Sequence, residues 1–143
     1  MAQVSKNFII QEFVPPVVFN QFGDRAIWFV DPRIIGFCQW LRDYTGKAVT
    51  INNWHQGGPR SESCFRLPLS TTGASLSQHK FGRAVDAKVD GLTPDEVRGI
   101  IRKNYDLLLV NYGITTIEKD TPSWAHADCR ATGLKTLLEV PYA

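Results

Sequence analysis

Residues 77–86 read Ser-Gln-His-Lys-Phe-Gly-Arg-Ala-Val-Asp and place a histidine and a carboxylate seven positions apart, at His79 and Asp86. A second histidine, His126, follows about forty residues later within the segment Trp-Ala-His-Ala-Asp. Two imidazoles and one carboxylate form a ligand set for a catalytic zinc ion, whose fourth position stays open for water. The sequence therefore predicts one bound Zn²⁺, held by His79, Asp86 and His126.

The composition is that of an ordinary folded protein. The chain has 143 residues, of which 43% are hydrophobic and 21% are charged. This predicts one domain with its own apolar core. The net charge of +2 is too small to favour nucleic acid as a partner. We expect a monomer. We also expect no membrane span, because no apolar run of about eighteen residues occurs.

The cysteines and the first residues bear on the compartment. Cys38, Cys64 and Cys129 are odd in number and have no CxxC spacing. They disfavour a disulfide framework and a zinc knuckle, and they are typical of free thiols in a reducing environment. Residues 1–8 have no basic segment followed by a long apolar run, so we expect no signal peptide. The chain would then be made in the cytoplasm, and if its target lies outside, another factor would have to deliver it.

The first half of the chain predicts one helix, one strand and a long loop. Residues 8–19 are apolar but broken by two prolines, which suggests a short strand or an extended arm within residues 1–30 that packs on the body. An Asp-Pro start and a following glycine predict a helix over 32–45. Residues 48–53 alternate as a strand does. Residues 54–77 read as a functional loop.

The second half predicts further strands around one clear helix. Residues 82–89 read as the strand that carries Asp86, and a capping box predicts a helix over 94–104. Leu107 to Val110 form a short apolar run that fits a strand or a helix end equally well. Residues 113–119 and 124–130 predict a hairpin. The fold class expected is α+β, with a small, largely antiparallel sheet flanked by helices.

The alternation of polar and small residues along the predicted hairpin would place the polar side chains on one face of the sheet. Residues two apart on a strand share a face, so one face would carry Trp124, His126, Asp128 and Arg130. The neighbouring strand would add Glu118, followed by Asp120. Titratable groups gathered on one sheet face are costly to bury unless they serve a site. This pattern indicates a functional site at the hairpin.

The spacing Ser77-x-His79-x-x-Gly82-x-Ala84-x-Asp86, followed by Trp124-x-His126, resembles the M15 family of zinc D-Ala-D-Ala carboxypeptidases and related peptidoglycan endopeptidases. That family includes phage endolysins and shares a fold with the signalling domain of hedgehog proteins. The resemblance runs from about Thr50 to Arg130 and implies a single zinc peptidase domain over residues 1–143, with His79, Asp86 and His126 as the zinc ligands.

Other roles follow from the same resemblance. Arg66, in a segment that reads Ser-Cys-Phe-Arg where the family has Ser-Gly-Tyr-Arg, matches the family's substrate-holding arginine. Glu118 is the first candidate for the general base, and Asp120 is kept as its competitor, because Ser123 stands where many members carry an acid. Ser77 and Trp124 are further substrate-binding candidates. Each also has a structural alternative, a backbone bond for Ser77 and packing for Trp124.

The expected function is zinc-dependent hydrolysis of a peptide bond in bacterial peptidoglycan, by a D,D-carboxypeptidase or an endopeptidase. A phage lysis enzyme or a virion-associated hydrolase fits the absence of a leader, because a holin or a virion would deliver it. The alternative is a non-catalytic, metal-containing binding or structural module of the same fold.

Overall fold

A computed structural model describes residues 3–142 of the chain. The last residue and the first two residues of the predicted arm lie outside this range. The α-helices are α1 (Pro16–Phe22), α2 (Pro32–Thr45), α3 (Pro94–Lys103) and α4 (Tyr105–Tyr112). The strands are β1 (Val49–Thr50), β2 (Ala84–Val89), β3 (Thr116–Glu118), β4 (Ala125–Asp128) and β5 (Leu138–Val140). The predicted α+β class is confirmed.

The strands form one sheet in the order β1-β2-β4-β3-β5. The pairs β1–β2, β2–β4 and β3–β4 are antiparallel, and β5 runs parallel to β3. The sheet is therefore mixed. The predicted hairpin is present as β3 and β4. Residues 131–142 end in the edge strand β5, which extends the sheet beyond the hairpin.

The two long helices begin where the sequence predicts. The Asp31 side chain accepts a hydrogen bond from the backbone N–H of Arg33, and Gly46 ends α2 in the left-handed conformation. Thr93 and Glu96 form the predicted capping box at the start of α3. Such caps satisfy backbone groups that the first and last turns leave without partners. These signals are local, and the predicted bounds are correct to within one residue.

The strand or extended arm predicted over residues 8–19 is wrong. The segment forms a short 3₁₀ turn at Ile10–Glu12 and then helix α1. Pro16 occupies the first position of α1, where a missing N–H costs nothing because that group has no intrahelical partner. The prolines therefore start a helix. Phe8, Ile10, Phe13 and Val14 are fully buried, so the segment belongs to the core.

The core fills the space between the helices and one face of the sheet. Helix α2 packs against β2 and α4, and its buried side chains belong to this core. The sheet side of this core comprises Val49, Val85, Ala87, Val89, Ile117, Ala125 and Ala127. The opposite face of the same strands is left free for polar side chains. No helix within residues 3–142 is long and apolar enough to cross a membrane.

Candidate metal centre

The register of β2 and β4 brings two of the predicted ligands together. Asp86 lies directly opposite His126, and Ala84 lies opposite Asp128. Directly opposed residues in a sheet point to the same face, so the two side chains meet on the face away from the core. His126 and Asp128 share this face, while Ala125 and Ala127 pack in the core. The predicted alternation along this strand is therefore observed.

His79 reaches the same point from a short 3₁₀ turn, Gln78–Phe81. The Ser77 hydroxyl caps this turn by accepting from the backbone N–H of His79 at 3.3 Å. Gly82 ends it with φ of 67°, and a Cβ there would lie 1.8 Å from the carbonyl oxygen of Phe29. Only glycine suits this backbone angle and this close approach. Gly82 therefore fixes the position of His79.

The three residues form a buried group that could hold a metal ion, with one donor atom from each lying within 4.8 Å of the others. His126 Nδ1 lies 2.9 Å and His79 Nε2 lies 3.3 Å from Asp86 Oδ1. A tetrahedral ion with bonds of about 2.0–2.1 Å separates its ligand atoms by about 3.3 Å. Two imidazole nitrogens and a carboxylate at these separations fit such an ion without large movement.

Each imidazole is oriented by a hydrogen bond from its other nitrogen. His79 Nδ1 donates to the carbonyl oxygen of Cys64 at 2.8 Å. His126 Nε2 donates to Oδ2 of Asp128 at 2.8 Å, and Asp128 is in turn held by the guanidinium of Arg130. Metal-binding histidines commonly have such partners, which fix the tautomer and the ring orientation. The arrangement leaves His79 Nε2 and His126 Nδ1 facing Asp86.

The electrostatics of the metal-free group follow from its crowding. Burial alone would raise the pKa of Asp86, but the charges and hydrogen bonds of His79 and His126 hold that pKa well below its ordinary value. Burial alone would lower the pKa of His126, but hydrogen bonds to Asp128 and Asp86 raise it to about 9. In the absence of a metal, His126 is therefore a cation among carboxylates near neutral pH.

The two general-base candidates occupy different environments. Glu118 ends β3, and its Oε1 lies 3.3 Å from Nδ1 of His126. Burial raises the pKa of Glu118, although the charge of His126 opposes this. Asp120 is exposed and accepts a hydrogen bond from the backbone N–H of Tyr142 at 2.5 Å. The structure therefore brings Glu118 to the His-Asp-His group and leaves Asp120 outside it.

The group opens into a cavity of about 590 Å³. The wall of the cavity contains all the remaining predicted site residues except Asp120, namely Arg66, Ser77, Glu118 and Trp124. Arg66 is buried, and its Nη2 lies 3.3 Å from Oδ2 of Asp86. Trp124 packs edge to face on Tyr142, with the ring centroids 5.3 Å apart. Ser77 makes a hydrogen bond to the backbone of His79, which is the structural role considered for it above.

The sequence did not single out several residues that build this site. The Cys64 carbonyl gives no side-chain signal, so only the fold reveals its role. Arg60 lies in the long loop and also lines the cavity. The only sequence signal for it is its position in a loop rich in glycine, proline and serine. Val140 and Tyr142 form part of the wall because β5 pairs with β3. Their short segment carries no motif.

No protein-family model matches the chain, and comparisons with curated proteins and with solved structures return no match.

Proposed function

We propose that this chain is a zinc-dependent peptidase, similar to the zinc D-Ala-D-Ala carboxypeptidases and with a hedgehog/DD-peptidase-like fold, that hydrolyses a peptide bond in bacterial peptidoglycan. One observation carries the proposal. The Glu118 carboxylate lies 3.3 Å from His126 Nδ1, beside a buried His-Asp-His group at the wall of an open cavity. A metal-binding group and an adjacent carboxylate are the components of metal-assisted hydrolysis.

Zinc is the proposed ion because its preferences match the donor set. It binds imidazole nitrogen and carboxylate oxygen in tetrahedral geometry, and three protein ligands are typical of its catalytic sites. When bound, one such ion lowers the pKa of a water molecule toward neutrality and polarises a carbonyl group. His79, Asp86 and His126 would hold it.

The chain's own residues supply the rest of the reaction. Glu118 accepts the proton of the attacking water and passes it to the leaving amine, a role favoured by a pKa above that of an ordinary carboxyl. Arg66 binds the substrate through its guanidinium, because this group pairs well with carboxylate oxygens and with developing negative charge. Ser77 and Trp124 line the cavity in which the substrate would lie.

The substrate is proposed to be a stem or cross-link peptide of the bacterial wall, which either a D,D-carboxypeptidase or an endopeptidase would cut. The chain would act as a monomer, made in the cytoplasm and released to the wall by another factor or carried in a virion. A phage lysis enzyme fits this description. The proposal rests on the resemblance of the His79 and His126 segments and on the site they build.

Incubation with purified peptidoglycan, followed by mass analysis of the released fragments, tests the proposal. Released D-alanine would indicate a carboxypeptidase, and cleaved cross-links would indicate an endopeptidase. We expect chelation to abolish release and added zinc to restore it. Activity that survives complete zinc removal, or that is unchanged in His126→Ala, would reject the mechanism. Zinc binding without any release would favour the non-catalytic, metal-containing module.

A further inference from the structure

The cavity wall carries three arginines, and one of them lacks a partner of opposite charge. Arg66 pairs with Asp86 at 3.3 Å, and Arg130 pairs with Asp128 at 2.6 Å. No carboxylate oxygen of residues 3–142 lies within 4.0 Å of the Arg60 guanidinium. Arg60 therefore brings an unpaired positive charge to the wall of the cavity.

The Arg60 side chain is held in a fixed position. Its Nε donates to the carbonyl oxygen of Ile51 at 2.7 Å, and its Nη2 donates to the carbonyl oxygen of Asp86 at 2.8 Å. Its backbone N–H donates to Oδ1 of Asn53 at 2.9 Å. A guanidinium held this way loses little conformational freedom when it binds a ligand.

One edge of the guanidinium remains free. Arg60 Nη1 makes no hydrogen bond to a described residue, unlike Nε and Nη2. Burial of the side chain lowers the pKa of Arg60, although the charge of Asp86 opposes this. A partly desolvated cation with free N–H groups gains more from an anion than an exposed arginine does, because less water has to be displaced.

The carboxylates of the cavity are engaged elsewhere, and none of them forms an ion pair with Arg60. Both carboxylate oxygens of Glu62 accept hydrogen bonds from hydroxyl groups, those of Ser70 and Thr72. Glu118 lies beside His126. Arg60 and Arg66 both contact Asp86, the first at its carbonyl oxygen and the second at its carboxylate, so both cations border the same part of the cavity.

We propose that Arg60 is a second anion-binding residue of this site and that the substrate class is a peptide with two carboxylates near the scissile bond. Arg66 binds one carboxylate and Arg60 binds the other. The assignment of these groups as substrate carboxylates rests on the proposed function, whereas the binding of a dianion by the two arginines does not.

Titration calorimetry with small dicarboxylates, from malonate to adipate, and with the monoamide of each tests this on the protein as purified and after zinc loading. Each dicarboxylate and its monoamide share one carboxylate, so the ratio of their two affinities reports only the second carboxylate. We expect the best dicarboxylate to bind about tenfold more tightly than its monoamide. The ratio of dicarboxylate to monoamide affinity should fall to about one in Arg60→Gln. It should remain unchanged in Arg83→Gln, because Arg83 lies outside the cavity wall.

Arg60→Gln also removes bonds to Ile51 and Asp86, so two further measurements guard against a folding defect. Arg60→Lys keeps the charge, so the dicarboxylate should still bind more tightly than its monoamide, by a smaller factor than in the wild type. In the unaltered protein, the NMR signal of Arg60 Nε–H should shift on saturation with the dicarboxylate and not with the monoamide. A wild-type ratio near one, a ratio unaffected by either variant, or an unmoved Nε–H signal would overturn the inference.

The two proposals fail separately. A protein that shows the Arg60-dependent ratio but releases nothing from peptidoglycan would overturn the peptidase and leave the anion site in place. A protein that cleaves peptidoglycan but shows a ratio near one would support the peptidase and overturn the anion site.

Discussion

Nδ1 of His126 lies 2.9 Å from Oδ1 of Asp86, and the two residues are directly paired in the register of β2 and β4. Their separation is therefore set by backbone hydrogen bonds between neighbouring strands, in addition to the contact between their side chains. His79 completes the group from a turn that is fixed at Gly82. A site built on paired strands keeps its geometry well, because its backbone has little freedom to move.

Replacing His126 by alanine should remove metal binding. The change takes away one of three donor atoms, leaves Asp128 without its imidazole partner and leaves Asp86 with His79 alone. We expect zinc content, measured by plasma mass spectrometry, to fall from about one ion per chain to less than about 0.1. His55→Ala is the matched control, because His55 lies outside the cavity wall and should leave the zinc content unchanged. Full loading of His126→Ala would refute the assigned ligand set.

Asp128→Asn should weaken zinc binding without abolishing it. Asp128 accepts the Nε2 proton of His126 at 2.8 Å and thereby fixes the imidazole orientation. Loss of such an orienting partner typically costs about 10- to 100-fold in metal affinity. Competition with a chromophoric chelator measures this. Asp120→Asn, at an exposed carboxylate outside the cavity wall, should bind zinc like the wild type. Equal affinities in the two variants would contradict the role of Asp128.

Glu118→Gln should separate turnover from metal binding. The amide keeps the size of the side chain but cannot accept a proton from water, so we expect kcat to fall by about 10²- to 10⁴-fold while zinc is retained. Asp120→Asn should stay within about twofold of the wild type, a change far smaller than loss of a general base produces. Peptidoglycan release assays on zinc-loaded variants decide between them. A larger loss in the Asp120 variant would transfer the role of base to that residue.

Zinc binding should release a proton from His126. In the metal-free protein, the pKa of His126 is raised to about 9, so the ring is protonated at pH 7 and must lose a proton before Nδ1 can bind a metal. Protons compete below the raised pKa, so the apparent affinity should increase by about tenfold per pH unit from about pH 7 to 8.5. Calorimetry in buffers of different ionisation enthalpy counts the proton. An affinity independent of pH over this range would contradict the charge assigned to His126.

Gly82→Ala should destabilise the fold, because the backbone is left-handed there and the new Cβ would meet the Phe29 carbonyl. We expect a loss of at least about 2 kcal/mol in the free energy of unfolding, measured with urea. Gly99 provides the control, since it lies within α3 with open space around its Cα. Alanine there should stabilise the protein by about 0.5–1 kcal/mol. A neutral Gly82→Ala variant would show that the turn carrying His79 can relax.

The sequence predicted those features whose causes are local. Helix α2 was found because Asp31 and Gly46 mark its ends, and the His-Asp-His group was found from residue types and spacing. The run from Leu107 to Val110 fits a strand or a helix end equally well, since a short apolar stretch has no readable period, and the structure places it in α4. The pairing of β5 with β3 depends on contacts distant in the sequence, which is why its contribution to the cavity wall was missed.

Strand β4 divides its four residues between two tasks, because Ala125 and Ala127 fill the core while His126 and Asp128 belong to the candidate metal centre. If these four positions were randomised, each of two selections should therefore conserve the residues at every second position. Selection for folded protein would constrain the small residues, and selection for zinc loading would constrain the polar pair. Because the positions interleave without overlapping, the polar side chains of the candidate site can change in evolution while the packing behind them stays the same.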